Sequence, residues 1–181
     1  GKTQYVQLTG DSVAGVDASR RWGTREVEIT SVEVVDHRGA VGTVLETGQP
    51  ATVRIHYQAR VRVARPLFGI AIHYGEHIHL NGPNTKTGGL AIEAIEGVGT
   101  VEYRIRALPL LRGLYTLSAA VYDEHALHAY DHHDRIYPFR VQQSQVRENA
   151  GMLWVDADWA HAGAGDARAS SIAIPFAGSR A

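Results

Sequence analysis

The chain carries ten histidines, so metal chemistry is the first to weigh. His77 and His79 flank Ile78, a spacing that puts both imidazoles on one face of a strand. Metal sites built on that spacing also take a glutamate shortly after the second His. Pro83 and Asn84 stand there instead, and no metal is assigned. His132 and His133 face opposite ways in an extended chain and cannot chelate as neighbours. Carboxylates come next: Asp123, Glu124, Asp131 and Asp134 contain the makings of a glycosidase pair, which needs two carboxyls at a defined separation. A linear order does not set that separation, and aspartates at turns commonly bond their own backbone. No catalytic residue is assigned. The nucleophile elbow and the glycine-rich phosphate loops are absent. With no cysteine, disulfides, thiolate zinc and Cys nucleophiles drop out together, and no cofactor is expected.

Aromatic and planar polar groups fit a sugar ring better. Such a ring has a weakly apolar C–H face and a rim of hydroxyls. A Tyr or Trp stacks under the face, while Asp, Asn, Arg and His bond the rim. Ala71, His73, Ser118, Ala120 and Tyr122 fall on the outward parity of two apolar segments. Small residues there leave a concavity, walled by His73 and Tyr122. Asn81, Asn84, Asp123, His125, His128, Tyr130 and Asp131 would ring its end, with Tyr74 beside it. The candidate carbohydrate-binding set is therefore His73, Tyr74, Asn84, Ser118, Tyr122, Asp123, His125, His128, Tyr130 and Asp131. Two other readings stand beside it: a sugar-modifying enzyme using metal or carboxylates, and an Ig-like module that only mediates dimerisation.

Short strands must position these residues. Val53, Ile55 and Tyr57 alternate against Arg54 and His56; Phe68, Ile70 and Ile72 share one face; Val101, Tyr103 and Ile105 share another. Tyr115, Leu117, Ala119 and Val121 are expected inward, and Tyr137, Phe139 and Val141 continue the pattern. Val27 and Ile29 lead into Val32, Val34 and Val35 through a phase slip near Ser31, which predicts a bulge. Turns fall at residues 36–39 and 47–50. Residues 90–95 are the one helical candidate. Tyr5, Val6 and Leu8 suggest a short strand, as does Met152-Leu-Trp-Val-Asp156; residues 172–176 are apolar with no assigned place. Short strands between Gly/Pro turns argue for an all-β protein, an immunoglobulin-like or jelly-roll β-sandwich of two antiparallel sheets.

The formal net charge of −1 supplies no pull toward nucleic acid. No apolar run is long enough to span a bilayer, and no signal peptide is visible. The first residue is Gly, which suggests a piece of a longer protein. Residues 1–22 read as a linker, residues 23–160 as the sandwich, and residues 161–181, rich in Gly, Ala and Ser at first, as a mobile tail.

An ordered set of segments resembles a known family. Arg21-Trp-Gly-Thr-Arg-Glu-Val-Glu-Ile-Thr-Ser-Val-Glu-Val34 leads in, followed by Gly48-Gln-Pro-Ala-Thr-Val-Arg-Ile-His-Tyr57, Pro66-Leu-Phe-Gly-Ile-Ala-Ile72 and Gly82-Pro-Asn-Thr85. Gly113-Leu-Tyr-Thr-Leu-Ser-Ala-Ala-Val-Tyr-Asp123 and Tyr130-Asp-His-His-Asp-Arg-Ile-Tyr-Pro-Phe-Arg-Val141 complete it. This order is similar to the C-terminal carbohydrate-binding domain of the ATP-binding subunit of O-antigen polysaccharide ABC transporters (Wzt-type), across residues 22–159. The resemblance implies a non-enzymatic domain behind a nucleotide-binding domain, cytoplasmic, at the inner face of the bacterial inner membrane. It implies binding of O-antigen polysaccharide before export, often through its non-reducing terminal modification. The partners implied are the transporter's nucleotide-binding and membrane subunits and a second copy of the chain. The resemblance also implies that the homodimer exchanges a C-terminal strand, for which residues 152–156 are the natural candidate.

Overall fold

A computed structural model describes residues 18–75, 77–161 and 163. Tyr5, Val6, Leu8 and residues 172–176 lie outside the described residues. After a single 3-10 turn, Ala18–Arg20, the described chain is all strand and loop. In order these are β1 (Arg21–Trp22), β2 (Val27–Val35), β3 (Val44–Glu46), β4 (Ala51–Ala64), β5 (Leu67–Tyr74), β6 (Ile78–Asn81), β7 (Ala94–Ile105), β8 (Gly113–Tyr122) and β9 (Ala129–Gln142). A six-stranded sheet runs β1-β9-β8-β5-β6, with β3 added in parallel alongside β9. A three-stranded antiparallel sheet runs β2-β4-β7. Among the described residues no helix is long and apolar enough to cross a membrane.

Period-2 alternation explains the two layers. Phe68, Ile70 and Ile72 of β5 are buried together with Tyr115, Leu117, Ala119 and Val121 of β8. Across the interior they join Val27, Ile29, Val32 and Val34 of β2 and Val53 and Ile55 of β4 in one apolar cluster. Each large aliphatic side chain buried there contributes roughly 1.5–3 kcal/mol. The bulge expected near Ser31 is present: Ile29 pairs with Tyr57, but Ser31 pairs with His56.

Some elements differ from the sequence expectation. Residues 90–93 are a loop and β7 starts at Ala94, because Ala94 and Ile95 pair with Ala64 and Val63 in place of a helical turn. β4 continues past Tyr57 to Ala64 through a register shift between Ala59 and Val63. Residues 152–156 form no named strand. Leu153 makes a single antiparallel bridge with Leu110, flanked by Leu111 N–H donating to Met152 O and Trp154 N–H donating to Pro109 O.

Candidate functional site

The outward face of the six-stranded sheet is built in rows set by strand register. Leu67 pairs with Tyr122, Gly69 with Ala120, Ala71 with Ser118 and His73 with Thr116. Ala120 pairs onward with His132, and His132 with Trp22. One row thus crosses four strands as Trp22, His132, Ala120 and Gly69, about 14 Å at ~4.8 Å per strand step. The Asn84 bridge to Gly69 extends it. The approach is close but not tight: a Cβ at Gly69 would meet Asn84 Cβ at 3.5 Å and Pro83 O at 3.4 Å, ordinary contact distances. Gly69, Ala71, Ser118 and Ala120 make a low floor. At its end stands an aromatic cluster. The Trp22 indole lies flat on the His132 imidazole, centroids 4.1 Å apart and planes 11° off parallel. The Tyr122 ring meets His132 edge-on, and its hydroxyl is hydrogen-bonded to His132 Nδ1 at 2.9 Å.

Further along the face, β9 bulges. Its register to β8 jumps between Leu117 and Ala119, and Arg135 takes φ 51°. The Ser118 hydroxyl ties the bulge down: it accepts from Arg135 N–H at 2.8 Å and donates to Asp134 Oδ1 at 3.3 Å. Ser118 Oγ also lies 3.3 Å from His73 Nε2. The Arg135 guanidinium grips the Asp134 carboxylate, Nη2 to Oδ2 at 2.7 Å and Nε to Oδ2 at 3.1 Å. His73 stacks on His79, centroids 5.0 Å apart. Burial, followed by the charges of His79 and Arg135, pushes His73 below the ordinary imidazole range; burial does the same for His132.

Of the ten sequence candidates, His73, Ser118 and Tyr122 converge on this face. Asn84 borders it, but its carboxamide oxygen accepts from Thr87 N–H at 2.9 Å and belongs to its own turn. Asp123, His125, His128 and Tyr130 gather around the β8–β9 turn. Asp123 Oδ1 accepts the Leu127 and His128 N–H groups at 2.7 and 2.8 Å. His128 meets Tyr130 edge-on at 5.0 Å, and His125 stands exposed beside Glu124. Tyr74 shares the parity of Ile72 and packs against Tyr115 at 5.4 Å, away from the outward face. Asp131 is 0% exposed and cannot touch a ligand. Trp22, His132, Asp134 and Arg135 are absent from the sequence set. The alternation of β9 carries the signal for His132 and Asp134; a strand of two residues has no period to flag Trp22.

Among the described residues, no three His, Asp or Glu side chains converge as a metal site would require. A cleft of about 310 Å³ opens beside Leu67, between Pro66 and the 85–93 loop. A wider concavity of about 1120 Å³ lies elsewhere, between Thr47, Gly48 and Gln49 and the segment carrying Trp154 and Trp159.

Residues 18–155 match the family described as the Wzt C-terminal domain. The chain belongs to that family. The crystal structure of the C-terminal domain of Wzt shares the fold, with a TM-score of 0.71 at 16% identity over 86% of this chain and 100% of that one. Two further solved structures are similar to a lesser degree. The Pseudomonas fluorescens alkylpurine DNA glycosylase AlkC bound to DNA gives a TM-score of 0.41 at 12% identity, over 65% of this chain and 30% of that one. A CARDB domain from Pyrococcus furiosus gives 0.37 at 12% identity, over 67% and 97%. A comparison with curated protein sequences finds no match.

In this Wzt C-terminal domain the buried Asp131 holds β1, and with it Trp22, in place. Its carboxylate accepts from Arg21 Nε at 3.1 Å and Nη2 at 2.8 Å, from Arg25 Nη1 at 2.8 Å and from Ile29 N–H at 2.8 Å. His133 Nε2 lies 3.2 Å from Oδ2, and His133 Nδ1 is hydrogen-bonded to the Tyr137 hydroxyl. Burial alone would raise the Asp131 pKa; the hydrogen bonds from His133 and Arg21 outweigh it and hold the group at about 2. Gly23 follows with φ 136°, which brings the chain against the backbone of Tyr130.

Proposed function

We propose that this domain binds O-antigen polysaccharide, its non-reducing terminal modification included, without catalysis and so selects it for ABC-transporter export. Membership of the Wzt C-terminal domain family supports a part in that transporter. The observation that carries the binding reading is the outward face. A floor of Gly69, Ala71, Ser118 and Ala120 lies beside the Trp22–His132–Tyr122 cluster, with hydroxyl and imidazole groups along it. Such a face matches a sugar, apolar on one side and hydroxylated at the rim. The carboxylates of the enzyme alternative are otherwise engaged among the described residues: Asp123 caps its turn, Glu124 pairs with Arg65, Asp131 is sealed in the core and Asp134 is held by Arg135.

The cellular context follows from the same proposal. The domain would sit behind a nucleotide-binding domain at the cytoplasmic face of the inner membrane, contacting the membrane subunits through the full-length protein. A homodimer with an exchanged C-terminal strand is supported by the loose tenure of residues 152–159. The Leu110–Leu153 bridge with its flanking hydrogen bonds holds the start of that segment, and Val155 and Trp159 beyond it are exposed.

The test is calorimetric titration of the domain with O-polysaccharide from its own strain. Tyr122→Ala and His73→Ala each weaken binding several-fold, while the melting temperature moves by no more than a few degrees. Unchanged affinity in both variants removes this face from the account.

A further inference from the structure

We infer that the sugar this face takes is uncharged and that its ring is seated on the indole of Trp22; the inference rests on the carbohydrate reading above. One face of that indole is covered by the His132 imidazole, and the residue is still 44% exposed. An indole backed on one side and open on the other is a stacking surface for an apolar C–H face. It is also fixed before any ligand arrives. Arg21, the residue before it, is clamped to Asp131 in the interior, and Gly23, the residue after it, packs against the Tyr130 backbone. Preorganisation of this kind removes an ordering cost from binding.

The charge of the ligand is read from how the neighbouring charges are used. Asp134 and Arg135, the ionic side chains built into the bulge beside Ser118, grip each other through several hydrogen bonds. At the other end of the face Arg65 and Glu124 do the same, Nη2 to Oε1 and Nε to Oε2 both at 2.7 Å. An anionic sugar would have to draw Arg135 or Arg65 off a carboxylate, exchanging one charge-assisted bond for another and stranding an acid. The neutral polar groups on this face include the Tyr122 hydroxyl and the His73 and His132 imidazoles, above a buried Ser118 hydroxyl already bonded to Asp134 and the Arg135 amide. Burial biases both imidazoles toward their neutral forms. Neutral hydroxyls and imidazoles donate and accept, as sugar hydroxyls do.

The experiment uses defined probes: a mannan, a rhamnan and a galactan as neutral chains, with polygalacturonate and a phosphomannan as acidic ones. Trp154→Phe/Trp159→Phe leaves Trp22 as the sole indole of the three. Binding is read by calorimetry and by Trp22 fluorescence, at about 0.05 M and about 0.5 M NaCl, where screening shortens from over ~10 Å to a few Å. The expected result is that a neutral chain binds, shifts the Trp22 emission and holds its Kd within about twofold across the salt series. Trp22→Ala should weaken it about tenfold and Trp22→Phe recover part of that loss. Preferred binding of an acidic chain, with affinity falling steeply in salt, overturns the inference. So does a Kd unmoved by Trp22→Ala; if Tyr122→Ala still weakens that chain, the carbohydrate reading survives. Absence of binding by every neutral and acidic chain, together with the strain's own polysaccharide, sinks both. Should Trp22→Ala fail to fold, Trp22→Phe and the salt series on the unaltered platform still decide.

Discussion

Asp131→Asn should be among the most damaging single-atom changes in the domain. The carboxylate is fully buried and receives Arg21, Arg25, the Ile29 amide and His133. Asparagine keeps the shape, but it turns one acceptor into a donor and leaves two guanidinium groups beside an uncharged partner. Removing one partner of such a buried ionic network costs about 3–5 kcal/mol, out of a typical total near 5–15 kcal/mol. For a chain of this size that lowers the melting temperature by roughly 10 °C or more. The pH dependence follows from the depressed pKa. Asp131 sits at about 2 when folded against a reference of 3.8, so its ionic contribution is present above pH ~4 and is lost as pH falls through 2. The full shift is worth on the order of 2 kcal/mol, with about half gone by pH 3. The assay is urea denaturation of both proteins at pH 7, 5 and 3. The gap in stability should be large at pH 7 and smaller by ~1 kcal/mol at pH 3. A gap under ~1 kcal/mol at neutral pH, or one that stays constant down to pH 3, refutes the argument.

Three further outcomes are expected. Gly23→Ala loses at least ~2 kcal/mol, because its Cβ would fall 2.4 Å from Tyr130 O, an atom of the backbone, at a φ of 136° that disfavours a side chain; thermal melting reads the loss, and a wild-type melting curve contradicts it. Leu117→Ala, at a position 1% exposed between the sheets, costs about 2–5 kcal/mol by denaturant titration, and a cost below ~1 kcal/mol would mean the site collapses freely. Ser118→Ala deprives the Arg135 amide of its 2.8 Å acceptor, costs about 1–3 kcal/mol and accelerates hydrogen exchange at that amide; exchange at the wild-type rate contradicts the bulge's dependence on the hydroxyl.

The sandwich was legible wherever alternation ran long enough. Val53 and Ile55 and Phe68, Ile70 and Ile72 bury on the parity their spacing dictates, Tyr115, Leu117, Ala119 and Val121 do so in a strand where Ser118 and Ala120 are buried too, and the slip near Ser31 is a real bulge. Tyr74 shows what parity decides when it is applied strictly: it continues the inward row of Phe68, Ile70 and Ile72, and it packs there on Tyr115. Asp131 likewise shares the parity of Tyr137, Phe139 and Val141, all buried. Its polarity suggested a rim residue because the two arginines that neutralise it lie 110 and 106 positions away. β1 and β3, two and three residues long, exist only through pairing with β9, and that pairing is tertiary. Trp22 therefore became visible as a platform only once its partner His132 was in place.

The account stands on the outward face of the six-stranded sheet, and amide NMR of the isotopically labelled domain addresses that face directly. On saturation with a bound neutral polysaccharide fragment, the largest shifts should fall on Gly69, Ala71, Ser118, Ala120, Tyr122 and His132, and on the Trp22 indole N–H. Shifts confined instead to β2, β4 and β7, or to the concavity beside Trp154 and Trp159, would place the sugar elsewhere and contradict the assignment.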